Sequence, residues 1–346
     1  MYYGLIHVLY QYGLIKTKKT ERRRTMTRYL FIEALLPMLV AFVISTVITK
    51  KLIPFLLKKK IGQYEREEEY EAHLKKAGTP TMGGVGFISA VILVSVFYIP
   101  RFPNIVPILI ATAGFAVIGC IDDSKKLFKK QSEGMKPLEK TIGQIVIAVG
   151  VIAYLKLVMG YDTKIKVPFL DGEYKLGIFY YILVFIMILG TVNGSNLNDG
   201  IDGLAGSVTS VIAAFLTIAS FIYKAGISPV TAAWLGGLLG FLLFNAHPAK
   251  IFMGDTGALA LGGFVASSAL VLKQPLIVIL IAFAYLVETV SVMMQVTYFK
   301  LTHGKRIFKM TPIHLSFEID GWSETRIVML FTVVTVITCF IALAAL

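Results

Sequence analysis

The stretch TVNGSNLNDGIDGLAG, residues 191–206, decides how this chain is read. It separates two strongly apolar runs, 176–189 and 204–223, yet carries Asn193, Asn196, Asn198, Asp199 and Asp202 among glycines. A charged side chain near the middle of a membrane helix costs at least about 2.5–3.5 kcal/mol, so acids beside such runs either serve a purpose or sit at the wet boundary. Asn198 or Asp199 alone could cap the following helix. A cap needs one side chain and this stretch supplies five, which favours a binding loop at a membrane surface.

Outward from this stretch the chain stays apolar. Of its 346 residues 56% are hydrophobic and 16% charged, and the mean hydropathy is +0.74, which excludes an ordinary soluble domain. A helix crossing the hydrocarbon core needs about 20 apolar residues. Ten runs qualify approximately: 30–49, 83–99, 105–121, 142–159, 176–191, 204–223, 230–245, 259–272, 275–297 and 326–346. The expected fold is therefore an all-α integral membrane protein of about ten transmembrane helices. Residues 1–29 read as an N-terminal interfacial segment. With no internal repeat, residues 30–346 read as one polytopic domain. Cys120 and Cys339 lie in apolar runs and offer no disulfide framework. The alternation around Ile165 and the Asp171-Gly172 turn predict a small extracellular β-hairpin.

Lysine and arginine counts in alternate loops set the orientation. With the loop after the first span in the cytoplasm, the inner loops hold twenty basic residues and the outer loops six: Arg101, Lys164, Lys166, Lys175, Lys224 and Lys273. Seven basic residues between Lys16 and Arg28 then fall outside, against the trend. On this topology Thr81, Asp122, Asp123, Asn193, Asn196, Asp199, Asp202, Asn245, Asp255 and His314 all belong to inner loops. The outer loops carry only Asp162, Asp171 and Glu173 as acids. Scattered helix caps would fall on both sides, so the asymmetry favours one site at the inner surface.

The chemistry of that site follows from its residue types. Carboxylates with asparagines and lysines suit a hard divalent cation and phosphate, hence Mg²⁺, with Mn²⁺ as an alternative. Asp122 and Asp123 at the end of the third span call for a cation, supplied by a metal, Lys125, Lys126 or Lys140. Lys75 and Lys76, just before Thr79, Thr81 and the Gly83-Gly84 pair, suit an anion. Buried cysteines and scattered histidines argue against zinc. There is no P-loop pattern, which disfavours an ATP-driven pump.

Five segments together carry a family resemblance: HLKKAGTPTMGG (73–84), Asp122-Asp123 with Lys126, NGSNLNDGIDGLAG (193–206), IFMGDTGALALGG (251–263), and ETVSVMMQVTYFK (288–300) with TPIHLSFEIDGW (311–322). From about Lys50 to the C-terminus the chain resembles the phospho-N-acetylmuramoyl-pentapeptide transferases of the polyprenyl-phosphate N-acetylhexosamine-1-phosphate transferase superfamily. The resemblance implies a ten-helix bacterial cell-membrane enzyme with a cytoplasmic active site, Mg²⁺ dependence and often a homodimer, with no nucleic-acid partner. The implied reaction moves phospho-MurNAc-pentapeptide from UDP-MurNAc-pentapeptide to undecaprenyl phosphate, giving lipid I and UMP for peptidoglycan. It implies Asp255 and Asp122 as metal ligands. Asp122, Asp123, Lys126, Lys140, Asp255 and His314 become catalytic candidates. Lys76, Thr81, Asn193, Asn196, Asp199, Asp202, Asn245 and Phe252 become substrate contacts, with Phe252 a candidate to stack on uracil. The chain departs from the family pattern at Leu315 and Ser316, where histidines are usual, and at His247 and Lys250. The alternatives are a sister transferase using UDP-GlcNAc or a related sugar, and a cation-coupled transporter. A transporter would spread acids through the membrane depth, whereas here Glu288 is the main acid within a span.

Overall fold

The computed structural model describes residues 27, 29–59, 78–129 and 134–346. Twelve helices follow in chain order: α1 Phe31–Lys58, α2 Gly84–Val96, α3 Val106–Lys129, α4 Pro137–Leu157, α5 Ile178–Leu197, α6 Leu204–Tyr223, α7 Ser228–Asn245, α8 Gly254–Val271, α9 Val278–Ile281, α10 Phe283–Leu301, α11 Ile313–Ile319 and α12 Glu324–Ala344. Between α4 and α5 the predicted hairpin is present. Strands β1 (Lys164–Ile165) and β2 (Tyr174–Lys175) pair antiparallel, Lys164 opposite Lys175 and Ile165 opposite Tyr174. The fold is thus an all-α membrane protein with one two-stranded ribbon among the described residues. The segment 1–29 lies outside them apart from positions 27 and 29.

All ten expected spans are helical, but two are not straight crossings. Among the described residues eight helices have the length and apolarity to cross a membrane. The ninth span is broken, with α9 and its preceding turn meeting α10 at 83°. The break falls at Ala282, whose backbone leaves the helical region (φ −105°, ψ 31°) with neither proline nor glycine to announce it. The remaining span, α2, has 13 residues and rises about 20 Å, short of the roughly 30 Å hydrocarbon core. Its start is tied inward: Gly84 N donates to the Met253 carbonyl at 2.9 Å and Gly83 N to that of Phe252 at 2.8 Å.

Helix α8 is the axis of the bundle. Every residue from Thr256 to Val271 is buried, and α3 and α5 pack along it. Lipid supplies no hydrophobic drive between helices, so membrane helices associate by close packing of small side chains, and GDTGALALGG meets that need. A Cβ on Gly262 would come within 2.4 Å of Val192 Cα on α5. One on Gly119 of α3 would come within 2.1 Å of the Asp255 carbonyl oxygen. The second approach brings the end of α3 against the start of α8.

The residue 191–206 stretch is less of a loop than its polarity suggests. Helix α5 continues to Leu197, so Asn193 and Asn196 stand on its last two turns and only residues 198–203 connect to α6. Asn193 is accommodated because its amide donates to the Leu189 carbonyl (2.8 Å) and to Gln144 Oε1 (2.9 Å) on α4.

Candidate active site

Asp122 and Lys126 lie one turn apart on the last turns of α3, and Asp255 lies in the first turn of α8. Lys126 Nζ is 2.7 Å from Asp122 Oδ2, 3.0 Å from Asp255 Oδ2 and 3.9 Å from Asp123 Oδ1. Lys140, from the first turn of α4, approaches the same Asp255 Oδ2 at 2.9 Å. Asn196 Nδ2 donates to Asp255 Oδ1 at 2.8 Å. Four helices thus converge on Asp255. A carboxylate in this partly dry setting needs such partners, because an unpaired buried charge is far costlier than a paired one.

Asp123 has a different task. The start of α8 leaves amides without intrahelical partners, and no side chain of its own N-cap satisfies them. Asp123 does so from α3: Oδ1 accepts from Asp255 N at 3.1 Å, and Oδ2 from Thr256 N at 2.9 Å and Thr256 Oγ1 at 2.7 Å. Its negative charge also faces the positive end of the helix dipole. Asp255 is therefore not the cap of its own helix. Asp122 completes the arrangement, its Oδ1 accepting Met135 N at 2.8 Å from the segment leading into α4.

One oxygen each from Asp122, Asp123 and Asp255 all lie within 4.8 Å of one another. An oxygen-only donor set of this span fits a hard divalent ion. Asp255 and Asp122 would hold it, since Asp123 is committed to α8. The ammonium groups of Lys126 and Lys140 lie where such an ion would bind. Both lysine side chains are partly exposed.

The remaining sequence-derived candidates fall around this centre at different distances. Thr81 Oγ1 is beside Gly254: a Cβ there would come within 2.8 Å of it and 2.6 Å of Asp123 Oδ2. Half-buried Phe252 is held by its backbone, its N–H donating to the Pro80 carbonyl at 2.8 Å. Asp199 sits half-buried in the α5–α6 connection. Burial first, then the negative charges of Asp255, Asp123 and Asp202, raises its carboxyl well above the usual range. Asn245 is buried and donates to the Ile251 carbonyl at 3.0 Å, fixing the turn before α8. Lys76 lies outside the described residues.

Two candidates have other close partners. Asp202 Oδ2 accepts Ala249 N at 2.9 Å and lies 3.2 Å from His247 Nδ1, while Asp202 N donates to Glu324 Oε2 at 3.0 Å. These three side chains form a second cluster. Buried His314 of α11 is paired with buried Glu288 of α10, Nδ1 to Oε1 3.1 Å, and its Nε2 lies directly under Gly200. It supports the Asn198–Gly203 connection and does not touch the carboxylate triad. Sequence reasoning did not single out Thr256, Gln144 or Glu324. A conformationally neutral threonine after an aspartate and a glutamate two residues past a glycine-tryptophan pair carry no local sign of partners more than a hundred residues away.

Comparison with known proteins shows the family. The family description Glycosyl transferase family 4 matches residues 105–273, and Phospho-N-acetylmuramoyl-pentapeptide-transferase signature 1 matches residues 76–88. A Phospho-N-acetylmuramoyl-pentapeptide-transferase of Clostridium perfringens (strain 13 / Type A) is 45% identical over 309 residues, covering 89% of this chain and 96% of its own. Proteins of the same name from Clostridium novyi (strain NT) and Thermoanaerobacter sp. (strain X514) are 45% and 43% identical over 89% of this chain, and 95% and 97% of theirs. With near-complete coverage at this identity, a membrane bundle and a carboxylate–lysine centre at one end of it, the chain belongs to the phospho-N-acetylmuramoyl-pentapeptide transferase family.

Proposed function

We propose that this chain transfers phospho-MurNAc-pentapeptide from UDP-MurNAc-pentapeptide to undecaprenyl phosphate at the cytoplasmic face of a bacterial membrane, forming lipid I and UMP. The observation that carries the reading is the convergence of Asp122, Asp123 and Asp255 with Lys126 and Lys140 at one end of the bundle. A phosphoryl transfer between two anions needs that concentration of positive charge and fixed geometry.

An oxygen of the lipid phosphate attacks the phosphorus bearing the sugar, and the bond from that phosphorus to the bridging oxygen breaks, releasing UMP. When bound, Mg²⁺ supplies charge neutralisation at the diphosphate. Lys126 and Lys140, released from Asp255, attract phosphate oxygens and offset the charge that gathers on the leaving UMP. Asp122, held by Met135 N, positions the Lys126 ammonium that receives the incoming lipid phosphate. That phosphate is already largely ionised near neutral pH, so positioning matters more than proton removal. Thr81 and Phe252 lie beside the α8 start, within reach of the nucleotide side of the diphosphate. An apolar cavity of about 250 Å³ between α5 and the α9–α10 bend, lined by Leu183, Met187, Ile279 and Leu286, suits an isoprenoid chain. A homodimer, as the resemblance implies, is compatible with the many exposed apolar side chains of α1, α4 and α12.

The test is release of UMP from UDP-MurNAc-pentapeptide by the purified chain in the presence of undecaprenyl phosphate and Mg²⁺. Turnover that requires all three is expected. Turnover with UDP-GlcNAc instead, or ion flux in proteoliposomes without UMP release, would replace this reading by one of its alternatives.

A further inference from the structure

At the end of the bundle remote from Asp255, the hairpin covers a polar pocket of about 280 Å³ between the start of α3 and the ends of α6 and α8. Its charged lining is Lys164, Lys166 and Lys273 with Asp162 and Glu173. Both acids are taken by one lysine: Lys164 Nζ lies 3.4 Å from Glu173 and 3.9 Å from Asp162. The other two lysines stand over aromatic rings. Lys166 Nζ is 5.6 Å from the Tyr223 ring centre and Lys273 Nζ is 5.0 Å from that of Tyr161. Among the described residues neither has a carboxylate at ion-pair distance.

The rings themselves are fixed. Tyr161 OH donates to the Val271 carbonyl at 2.9 Å, and Tyr223 OH accepts from Gln274 Nε2 at 2.8 Å. Each ammonium is therefore held by a cation–π contact to an anchored platform, and Tyr223 OH also donates to Leu346 O at 3.3 Å. Lys273 also occupies a costly position. It follows the α8 C-cap with φ +57°, a left-handed conformation for which glycine is the usual residue. Three of the six basic residues expected in the outer loops line this one pocket.

We propose that this pocket is an anion site that takes a single phosphate group, with Lys166 and Lys273 as its cationic walls. Its rim is made of membrane-helix ends, so it lies level with lipid head groups, where lysine and tyrosine pairs meet anionic phospholipid. A water-soluble phosphate offers the same chemistry. The site is independent of the transferase reaction.

The experiment uses the full-length protein in a neutral detergent and reads the thermal midpoint with added phosphatidylglycerol, phosphatidylcholine or glycerol 1-phosphate. Wild type is expected to gain on the order of 2–5 °C with phosphatidylglycerol relative to phosphatidylcholine. The K166Q/K273Q variant should lose at least half of that gain, and K166R/K273R should keep it. K175Q/K224Q removes two charges from the same end but outside the pocket and should also keep it. The UMP-release rate at saturating substrates should be unchanged in all. A gain with glycerol 1-phosphate that K166Q/K273Q abolishes supports the site and assigns it to a soluble phosphate. No gain with either probe, an equal gain in K166Q/K273Q, or an equal loss in K175Q/K224Q overturns the proposal.

Discussion

Asp255 is the residue on which the most contacts of the site depend, with two ammonium groups and an amide converging on its carboxylate. Asp255→Asn keeps its size but removes the charge that positions Lys126 and Lys140 and that would hold a metal. We expect turnover to fall by at least about 10²–10³-fold, the scale for losing a group that organises charge at a reacting phosphate, as read by UMP release. Asp123 should behave differently. Asp123→Ala leaves the Asp255 and Thr256 amides without partners, and an unsatisfied buried donor costs about 1–3 kcal/mol; thermal unfolding in detergent should show that loss. Asp199 gives a pH-dependent prediction. Its carboxyl is raised in the folded protein, so it stays protonated at pH values where the unfolded chain, near pKa 3.9, has ionised. Folding then binds a proton, and the cost grows as pH rises through that interval. Asp199→Asn removes the cost, so the variant's thermal midpoint should match wild type near pH 4 and exceed it increasingly toward pH 7.

Among the elements, the contact of α3 with α8 matters most, because it brings carboxylates from distant parts of the chain together. A methyl on Gly119 would meet the Asp255 backbone at 2.1 Å, whereas one on Gly150 of α4 meets nothing within 4 Å. Gly119→Ala is expected to cost about 1–3 kcal/mol of stability by overpacking and to cut turnover more than tenfold as the triad is forced apart. Gly150→Ala should leave turnover unchanged and stabilise slightly, by roughly 0.5–1 kcal/mol, through the ordinary helix preference for alanine. Equal behaviour of the two variants in unfolding and turnover assays would contradict the role assigned to this helix crossing. The break at Ala282 is the second decisive element. Residues on both sides of it, Ile279 and Leu286 among them, line the apolar cavity beside α5.

For the whole molecule, the two ends of the bundle carry opposite tasks: the carboxylate–lysine centre at one and the hairpin with its lysine pocket at the other. The excess of lysine and arginine in the loops beside the carboxylates is the ground on which that end is proposed to face the cytoplasm. In intact cells, a cysteine at Glu173 on the hairpin should react with a membrane-impermeant maleimide, and one at Lys305, between α10 and α11, should react only after permeabilisation. Both substitutions belong in a background lacking Cys120 and Cys339. The reverse pattern would move the active site to the outer face and remove the proposed access to UDP-linked substrate.

Hydropathy is a local property, so the apolar runs by themselves located the helices and their order, though not the shortness of α2 or the break at Ala282, and the polar residues between the runs pointed to a site at one end. The motif around residues 193–206 and its four companions were likewise legible, because they are short and contiguous. Partnership is not local. That Asp123 spends both oxygens on the start of α8 while its neighbour Asp122 meets Lys126 and the Met135 amide could not be read from two adjacent aspartates. Nor could the pairing of His314 with Glu288, or the gathering of Asp202, His247 and Glu324 into a second cluster. Those assignments exist only once small residues such as Gly119 and Gly262 let helix backbones approach closely, since hydrogen bonds and ion pairs are decided over the last few ångströms of that approach.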